Sequence, residues 1–442
     1  MRMPLVRYPG GNFVSNYDWT DGIGPADARP VRTDFAWQSL EPNTFGTDEF
    51  AAWCRELGTE PMLAVNLGTG SPKAAAELLE YCNVAGGTYW SDLRIVNGSP
   101  EPHDIRTWCL GNEMDGPWQA GHVPALEYAR RAEQAAKLMK GIDPRIETVV
   151  AGSSGNQMAT YLEWDREVLE YTWDHVDYIS AHRYSRNEAA DTPWFLAEGV
   201  EIDRIIDEYR ALLTYVRGVK RASKRVFLCF DEWNVWYRAR TPADRSGDWK
   251  MAPHLIEEVY NLEDALVCAQ YLNSFIRNAD IVKIACLAQI VNVIAPLLTR
   301  PDGLLVQSIY WPFVLFAESA KGISLTPAID GPSYAAGERG GVPALDASAA
   351  YREDDGSLAV FIVNRDPSNG VTVRVRAVDR SIVSVASASL LAGPGPTAHN
   401  TWEAPDVVRP GGLEAATNAE GGVEITLPPA ALGTLTLNTA AR

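Results

Sequence analysis

Two stretches of the sequence each end an apolar run with acidic side chains. RTWCLGNEMDG leads through a glycine to Asn112 and Glu113, and RVFLCFDEWNVWY leads to Asp231 and Glu232. Cleavage of a glycosidic bond needs such a pair, one carboxyl group that gives a proton and one carboxylate on the other side of the anomeric carbon. A single Glu at a strand end more often forms a loop salt bridge or contacts a helix N-terminus. Two of them, each beside an Asn or Asp and followed by Trp, favour chemistry.

Short apolar runs alternate with longer helical patterns as far as residue 315. The predicted strands are Pro4–Tyr8, Glu60–Asn66, Arg106–Gly111, Glu147–Gly152, Tyr178–His182, Arg225–Asp231 and Ile281–Leu287. The predicted helices are Thr47–Gly58, Pro72–Asn83, Pro124–Gly141, Thr160–Thr172, Ile202–Ala222 and Leu262–Ala279. Several of the strands are apolar throughout, which is typical of parallel strands buried on both faces. Repeated βα units of this kind build either an open, doubly wound sheet or a (β/α)8 barrel.

Polar residues collect at the C-terminal ends of nearly all of these strands. They are Asn12, Asn66, Asn112 with Glu113, His182 with Tyr184, Asp231 with Glu232, and Gln289. An open sheet offers one crevice, whereas a barrel gathers all of its strand ends around one mouth. The sequence therefore predicts a barrel in which Glu113 and Glu232 converge.

After residue 315 the pattern changes to short, alternating, β-branched runs separated by Gly, Pro and Asn. SLAVFIVNRD, VTVRVRAV and GVEITLPPAALGTLTL are examples. Such runs are typical of an antiparallel β-sandwich. The sequence predicts a barrel domain over 1–315 and a C-terminal sandwich domain over 316–442, packed against each other because no long linker separates them.

The composition argues against several classes of partner. A net charge of −18 disfavours nucleic acid and anionic membrane surfaces. The six cysteines form no CxxC pair and lie in apolar runs, which predicts buried, reduced thiols. The six histidines lack HxxxH and HExxH spacing, and we predict no metal ion and no cofactor. The absence of a signal-peptide pattern and of a long apolar run predicts a cytoplasmic protein.

Five motifs resemble the α-L-arabinofuranosidases of glycoside hydrolase family 51. In chain order they are RYPGGNFVSNYDWTDGIGP, WCLGNEMDGPWQ, DYISAHRY, FDEWNVWY and LAQIVNVIAPL. These five specific motifs occur in the family's order between about residues 5 and 315. A chance resemblance is therefore not a serious alternative. The resemblance implies a (β/α)8 TIM-type barrel followed by a β-sandwich. It also implies an exo-acting, retaining enzyme that hydrolyses terminal arabinofuranosyl residues of arabinan or arabinoxylan oligosaccharides.

The resemblance implies a role for each candidate residue. Glu113 matches the family's general acid/base and Glu232 its nucleophile, two groups that a retaining mechanism places about 5–5.5 Å apart. Glu113 has to start protonated, and we expect Trp118 and Glu232 to provide a neighbourhood that favours the neutral form. Asn112 would hold the sugar 2-hydroxyl. The other pocket residues implied by the family are Asn12, Trp37, His182, Tyr184, Trp236 and Gln289.

Most of these pocket residues also have a purely structural explanation. Asn12 could fill a left-handed turn after two glycines, and the two tryptophans could be core aromatics. His182 could be satisfied by backbone groups. Tyr184 could orient Glu232 through a hydrogen bond or merely pack. Gln289 has no evident core role after an apolar run, which favours function.

The chain departs from the family at its N-terminus. Relatives begin roughly sixty residues earlier, with the first of eight barrel strands and a sugar-binding glutamate, whereas we count seven strands here. Three explanations are open: a shortened chain, a partner chain that supplies the strand, and a different closure of the barrel. We favour the first. We expect weak or no turnover from the isolated chain, because the gap leaves strand edges unpaired and opens the pocket to water. An assay on an aryl α-L-arabinofuranoside tests this expectation.

Two alternatives to the leading interpretation stay open. Within the same class, β-xylosidase or endoglucanase action depends on pocket shape and not on the carboxylates. Outside it, a truncated barrel could bind carbohydrate without turnover, which substitution of Glu113 and Glu232 would reveal. The resemblance further implies a homo-oligomer, a hexamer in many family members, although no sequence pattern identifies the interface.

Overall fold

Strands and helices alternate along the first part of the chain, and antiparallel strands follow. The computed structural model describes residues 2–237, 248–418 and 420–441. The helices are α1 (Thr47–Leu57), α2 (Pro72–Asn83), α3 (Tyr89–Val96), α4 (Ala125–Ile142), α5 (Glu163–Thr172), α6 (Thr192–Phe195), α7 (Glu198–Lys220), α8 (Leu262–Arg277) and α9 (Tyr310–Ser319). The strands of the first part are β1 (Leu5–Tyr8), β2 (Arg32–Asp34), β3 (Ser39–Glu41), β4 (Glu60–Val65), β5 (Thr107–Leu110), β6 (Glu147–Val150), β7 (Tyr178–Ser185), β8 (Phe227–Val235), β9 (Lys250–Met251), β10 (Val282–Leu287), β11 (Leu297–Arg300) and β12 (Gly303–Val306). Those of the C-terminal part are β13 (Ile323–Leu325), β14 (Ser333–Ala335), β15 (Gly341–Pro343), β16 (Leu345–Arg352), β17 (Ser357–Asn364), β18 (Val371–Val375), β19 (Arg380–Ala392), β20 (Arg409–Gly412), β21 (Ala415–Thr417), β22 (Val423–Leu427) and β23 (Ala431–Ala441).

Seven parallel strands form the central sheet in the order β1-β4-β5-β6-β7-β8-β10, with β1 and β10 at its two ends. They are the seven strands that the sequence predicts. Leu63 of β4 lies opposite Trp108 of β5, and all four residues of β5 are buried. Parallel strands buried on both faces need side chains inside the curved sheet and helices outside it, which is the construction of a TIM-type barrel. The predicted fold class is confirmed.

The two strands that carry most of the candidate residues extend further than predicted. β7 continues to Ser185 and β8 continues to Val235. They pair with each other along this extension, where His182 lies opposite Glu232. Long-range pairing of this kind prolongs a strand beyond its local pattern. Tyr184 and Glu232 therefore lie within regular strands and not in loops, which fixes their positions.

The helices begin where the sequence supplies a partner for their first N–H groups. The Ser71 hydroxyl accepts a hydrogen bond from Ala74 at the start of α2. At the start of α1, the Gly46 N–H donates to the Glu49 carboxylate at 2.8 Å. A larger residue than Gly46 does not fit there, because its Cβ would stand 1.8 Å from the carbonyl oxygen of Gly22. All six predicted helices are present, and α3, α6 and α9 add to them.

The C-terminal strands form two antiparallel sheets. The larger has the order β13-β16-β17-β23-β19-β20 and the smaller the order β18-β22-β21. Val360 of β17 packs in one core with Ile425 of the smaller sheet. On the opposite face of β17, Phe361 stacks on Phe316 of α9 with ring centroids 4.1 Å apart. The predicted sandwich is confirmed, and its larger sheet is covered by the smaller sheet on one face and by barrel helices on the other.

Helix α9 runs across the predicted domain boundary between residues 315 and 316. Its Leu315 and Phe316 belong to an apolar cluster that also contains residues of α8 and the larger sheet. The division of the chain at this position stays a prediction.

The cysteines are free, with Cys286 partly exposed and the other five buried, so the prediction of unpaired thiols is confirmed. Within the part of the chain that the structure describes, no helix combines the length and the apolar character needed to span a membrane.

Candidate active site

The carboxyl ends of β5, β7 and β8 bring three candidate side chains together. One oxygen of Glu113, one oxygen of Glu232 and one ring nitrogen of His182 all lie within 4.8 Å of one another. The two carboxyl groups of retaining glycosidases are about 5–5.5 Å apart, and those of inverting enzymes are about 6.5–9.5 Å apart because a water molecule lies between them. The observed approach fits the retaining geometry. The convergence that the two strand ends predict is present.

Glu113 occupies a strained turn. Its φ of 44° lies in the left-handed region, which costs a residue with a Cβ about 1–3 kcal/mol. The Glu113 Oε2 atom accepts a hydrogen bond of 2.9 Å from the indole N–H of Trp118. Trp118 therefore meets Glu113 through the polar edge of its ring, and this tryptophan is 47 % exposed.

Glu232 has hydrogen-bond donors on both of its oxygens. The Tyr184 hydroxyl donates to Oε1 at 2.7 Å, and the Arg7 guanidinium donates to Oε2 at 3.3 Å. Burial raises the pKa of Glu232, and the charge of Glu113 adds to this effect, while His182, Arg7 and Tyr184 act in the opposite direction. The net shift of the Glu232 pKa is upward. The predicted hydrogen bond from Tyr184 to Glu232 is present.

Arg7 is a site residue for which the sequence predicts no role, although it is the first residue of the motif RYPGGNFVSNYDWTDGIGP. Its guanidinium lies 3.2 Å from Asp231 and donates to the Asn112 Oδ1 atom at 2.7 Å. The side chains of Arg7 and Asp231 are 6 % and 1 % exposed. Burial alone would raise the pKa of Asp231, but the charges of Arg7 and of the nearby His182 ring bring it well below its usual range. A charged residue inside the short strand LVRY is the signal that could have identified Arg7.

His182 lies among three carboxyl groups. Its Nδ1 atom is 3.0 Å from Glu113 and 3.9 Å from Glu232, and its Nε2 atom is 3.3 Å from Asp231. Burial lowers the pKa of the ring, but the charges of Glu232, Asp231 and Glu113 outweigh burial and raise that pKa well above its ordinary value. The imidazolium form is therefore favoured, and the neighbours of this histidine are carboxyl groups, not the backbone groups of the structural alternative.

Asn112 and Asn12 lie beside the carboxyl pair. The Asn112 amide nitrogen donates to the Asn12 Oδ1 atom at 3.3 Å, and Asn112 is buried. Gly10 and Gly11 adopt the left-handed conformations of the preceding turn, with φ of 71° and 54°. Asn12 starts a short 3₁₀ helix after that turn. The alternative in which Asn12 fills the left-handed turn is therefore wrong.

The barrel mouth opens into a cavity of about 2050 Å³. Among its lining residues are the site candidates Asn12, Trp37, Glu113, Tyr184, Glu232, Trp236 and Gln289. Asn112 and His182 contact the lining residues Asn12 and Glu113, respectively. Trp37 and Trp236 also pack with Tyr184 in a small apolar cluster, so these tryptophans serve both as cavity wall and as local core.

Glu113, His182 and Glu232 are, among the described residues, the one group of side chains whose atoms approach closely enough to share a metal ion. Arg7 already places a positive charge 3.3 Å from Glu232, and such a charge repels a second cation. The absence of a metal ion and of a cofactor stays a prediction.

Replacement of Arg7 by methionine is expected to destabilise the fold, because it leaves Asp231 charged, buried and without its cation. Breaking a buried ion pair in this way costs about 3–5 kcal/mol, which for a chain of this length is roughly 3–5 °C in the melting temperature. R32M is the matched control, since the Arg32 side chain is 62 % exposed in its pair with Asp21, and exposed pairs contribute about 0–1 kcal/mol. Scanning calorimetry measures both variants, and equal melting temperatures would contradict the prediction.

Two family models match the chain. The model of the alpha-L-arabinofuranosidase 1 domain matches residues 1–203. The model of the alpha-L-arabinofuranosidase C-terminal domain matches residues 231–431. Together they cover most of the barrel and most of the sandwich.

Characterised relatives are similar over most of the chain. The intracellular exo-alpha-(1->5)-L-arabinofuranosidase of Acetivibrio thermocellus is 46 % identical over 371 residues, which are 83 % of this chain and 74 % of the relative. The exo-alpha-(1->6)-L-arabinofuranosidase of Bifidobacterium longum is 42 % identical over 437 residues, 96 % of this chain and 84 % of the relative. A solved family 51 alpha-L-arabinofuranosidase from Bifidobacterium longum has a TM-score of 0.93 at 38 % identity, over 98 % of this chain and 87 % of that one. The alpha-L-arabinofuranosidase of Thermotoga maritima in complex with arabinose has a TM-score of 0.86 at 35 % identity, with the same coverage.

A parallel barrel with two carboxyl groups converging at its mouth is the architecture of a glycoside hydrolase, and this fold and site define the class of the protein. The identities and their coverage then define the family. The chain belongs to the α-L-arabinofuranosidases of glycoside hydrolase family 51, as its motifs predict.

Proposed function

We propose that this chain is an exo-acting, retaining α-L-arabinofuranosidase that removes terminal arabinofuranosyl residues from arabinan or arabinoxylan oligosaccharides. The observation that carries the proposal is the approach of the Glu113 and Glu232 oxygens to within 4.8 Å at the barrel mouth. The names of the Acetivibrio and Bifidobacterium relatives support it, since both are exo-acting arabinofuranosidases.

The surroundings of the two carboxyl groups support different roles for them. Arg7, which contacts Glu232, can donate a hydrogen bond but cannot accept a proton, so the ionised form of Glu232 suits this position. His182, which contacts Glu113, donates as the imidazolium and, unlike an arginine, can also give up its proton. Glu113 can therefore change its protonation state during turnover. We assign the acid/base role to Glu113 and the nucleophilic attack to Glu232, as the family resemblance implies.

The proposed reaction has two displacements. Glu232 attacks the anomeric carbon, the bond from that carbon to the leaving oxygen breaks, and Glu113 gives its proton to that oxygen. The Glu113 carboxylate then takes a proton from water, and the water oxygen attacks the anomeric carbon and releases Glu232. Two inversions give net retention of configuration, and Glu113 ends the cycle protonated.

Asn112 is proposed to hold the sugar 2-hydroxyl. Its amide oxygen accepts from Arg7, and one of its two amide hydrogens goes to Asn12, which orients the amide and leaves the second hydrogen for substrate. A hydrogen bond to the 2-hydroxyl strengthens as positive charge develops on the ring. The other residues proposed for the sugar pocket are Asn12, Trp37, His182, Tyr184, Trp236 and Gln289.

Linkage is the part of the specificity on which the relatives differ. The Acetivibrio relative is named for the 1->5 linkage at 46 % identity, and a Bifidobacterium relative for the 1->6 linkage at 42 % identity. We propose the 1->5 linkage for this chain, since relatives from Bacillus subtilis and Streptomyces lividans share that name. A bifunctional glucanase-xylanase from a metagenome library is only 15 % identical, so it shares the fold alone and does not favour endoglucanase or β-xylosidase action.

Location and assembly follow from the family. The Acetivibrio relative is named as intracellular, and we propose the same location, where imported oligosaccharides are the available substrates. We also propose a homo-oligomer, a hexamer by family resemblance. Light scattering on the 48.4 kDa chain measures its mass in solution directly.

The stereochemistry and pattern of the products test the proposed activity. On α-1,5-linked arabinotriose, NMR during the first turnovers should show arabinose released as the α-anomer, one terminal unit at a time. Aryl β-xylosides and soluble cellulose should react at least about 100-fold more slowly than an aryl α-L-arabinofuranoside. Initial release of the β-anomer, or products of internal cleavage, would show that the proposal is incorrect.

A further inference from the structure

We propose that Arg339, which lies in the C-terminal part of the chain, is a positioning residue for the two catalytic carboxyl groups. It acts through Glu198 and strand β7. The inference rests on the roles proposed above for Glu113 and Glu232. It is carried by a continuous series of hydrogen bonds from the β14–β15 hairpin to the barrel mouth.

Strand β7 presents different side chains on its two faces. His182 and Tyr184 point to the barrel mouth, where each contacts one member of the carboxyl pair. Arg183 and Ser185 alternate with them and point to the opposite face. Because the two faces share one backbone, the groups that fix Arg183 and Ser185 also fix the directions of His182 and Tyr184.

One carboxyl oxygen of Glu198 fixes both Arg183 and Ser185. The Oε1 atom of Glu198 accepts hydrogen bonds from the Arg183 Nε atom at 3.1 Å and from its Nη2 atom at 2.5 Å. The same oxygen accepts from the Ser185 hydroxyl at 2.7 Å. Glu198 lies in the first turn of α7, and its side chain is 1 % exposed. The end of β7 is therefore anchored to the start of α7.

Arg339 occupies the other oxygen of the same carboxylate. It lies in the short turn between β14 and β15 and donates from Nη2 to the Glu198 Oε2 atom at 2.5 Å. Its Nη1 atom donates to the Trp194 carbonyl oxygen at 2.9 Å, and its guanidinium lies 4.1 Å from the centre of the Trp194 ring. The Tyr334 hydroxyl of β14 donates to the Pro193 carbonyl oxygen at 3.0 Å. The hairpin is thus docked on α6, directly before Glu198.

The charge of Glu198 depends on both arginines. Burial raises the pKa of this carboxyl, but Arg183 and Arg339 outweigh burial and lower the pKa below its ordinary value. Loss of Arg339 leaves one oxygen of a buried carboxylate without a donor, which is costly. The start of α7 and the end of β7 are then expected to shift until another donor or water reaches that oxygen. Small displacements of catalytic contacts have large effects on rate.

A displacement of β7 can be detected through the groups that face Glu232. Tyr184 and His182 reach it from β7, Arg7 reaches it from β1, and Glu113 reaches it from the turn after β5. Of these, only the two β7 residues are anchored through Arg339. Glu232 has to be ionised to attack, and weaker donation from Tyr184 makes its carboxylate less stable. The acid limb of the pH profile, which is the pH range over which kcat/KM falls as the solution becomes more acidic, is therefore expected to move to higher pH.

Three variants of Arg339 test the inference on an aryl α-L-arabinofuranoside. R339M and R339Q are expected to lower kcat about tenfold, to change KM by less than about threefold, and to raise the acid limb by about half a pH unit. R339K restores the charge and is expected to recover most of the parent kcat and to return the acid limb towards its parent position. R374M, which removes an exposed arginine of the smaller sheet, is expected to keep the parent pH profile.

The outcomes separate this inference from the proposed function. Parent values of kcat and of the acid limb in all three Arg339 variants would overturn it. A fall in activity with an unmoved acid limb and without recovery in R339K would also overturn it, because such a fall reflects stability alone. If R339M does not fold, R339Q is judged by the same criteria. An inactive parent enzyme contradicts the proposed function instead.

Discussion

Replacement of Glu232 by glutamine is expected to lower kcat by about 10⁴-fold or more on every substrate, whatever its leaving group. The amide of glutamine has nearly the size of the carboxylate but does not attack the anomeric carbon. Arg7 keeps its ion pair with Asp231 in this variant, so the fold should be retained. The release of p-nitrophenol from an aryl arabinofuranoside measures the loss, and calorimetry verifies folding.

The control for this variant is E424Q, which removes an exposed carboxylate from the smaller sheet and should leave kcat unchanged. E232A with added azide provides a second readout. Azide can enter the space left by the side chain, attack the anomeric carbon and displace the phenolate, which gives an arabinosyl azide of inverted configuration. An E232Q rate within tenfold of an active parent would refute the assignment of the nucleophile. An inactive parent that still binds arabino-oligosaccharides would favour the non-catalytic barrel.

The sequence predicts the position of the carboxyl pair because local signals suffice for it. A buried apolar run has to end where polar residues begin, and parallel strands of one barrel end at one mouth. Glu113 and Glu232 could be placed together on this basis without knowledge of any long-range contact. The family resemblance implied that Tyr184 belongs to the same pocket, and its hydrogen bond to Glu232 follows from the paired extensions of β7 and β8.

Long-range partners explain what the sequence does not reveal. Arg7 contacts Glu232 from a position 225 residues away, and no local pattern connects them. Helix α7 begins four residues before the predicted start, so that Glu198 and Gly199 lie in its first turn. In the structure a Cβ at Gly199 would stand 2.7 Å from the Gln270 Oε1 atom, so this glycine allows α7 to pack closely on α8. Glu198, which anchors β7, lies in this first turn of α7, before the predicted start of the helix.

Replacement of Glu113 by glutamine is expected to have an effect that depends on the leaving group. On arabino-oligosaccharides, kcat/KM should fall by about 10²–10⁴-fold, because the departing alkoxide needs a proton. On a dinitrophenyl arabinofuranoside, kcat/KM should stay within about tenfold of the parent, since this phenolate leaves without a proton. The second displacement lacks its base in both cases. Stopped-flow measurements should therefore show a burst of phenolate followed by slow turnover.

The stereochemistry of azide products distinguishes Glu113 from Glu232 most directly. In E113A the glycosyl ester with Glu232 still forms, and azide, which needs no general base, attacks this ester and releases the carboxylate. The product is an arabinosyl azide of retained configuration, opposite to that from E232A. E127Q, on the exposed side of α4, should behave as the parent. If E113A and E232A gave azides of the same configuration, the two carboxyl groups could not hold the separate roles assigned to them, and the 4.8 Å approach would need another explanation.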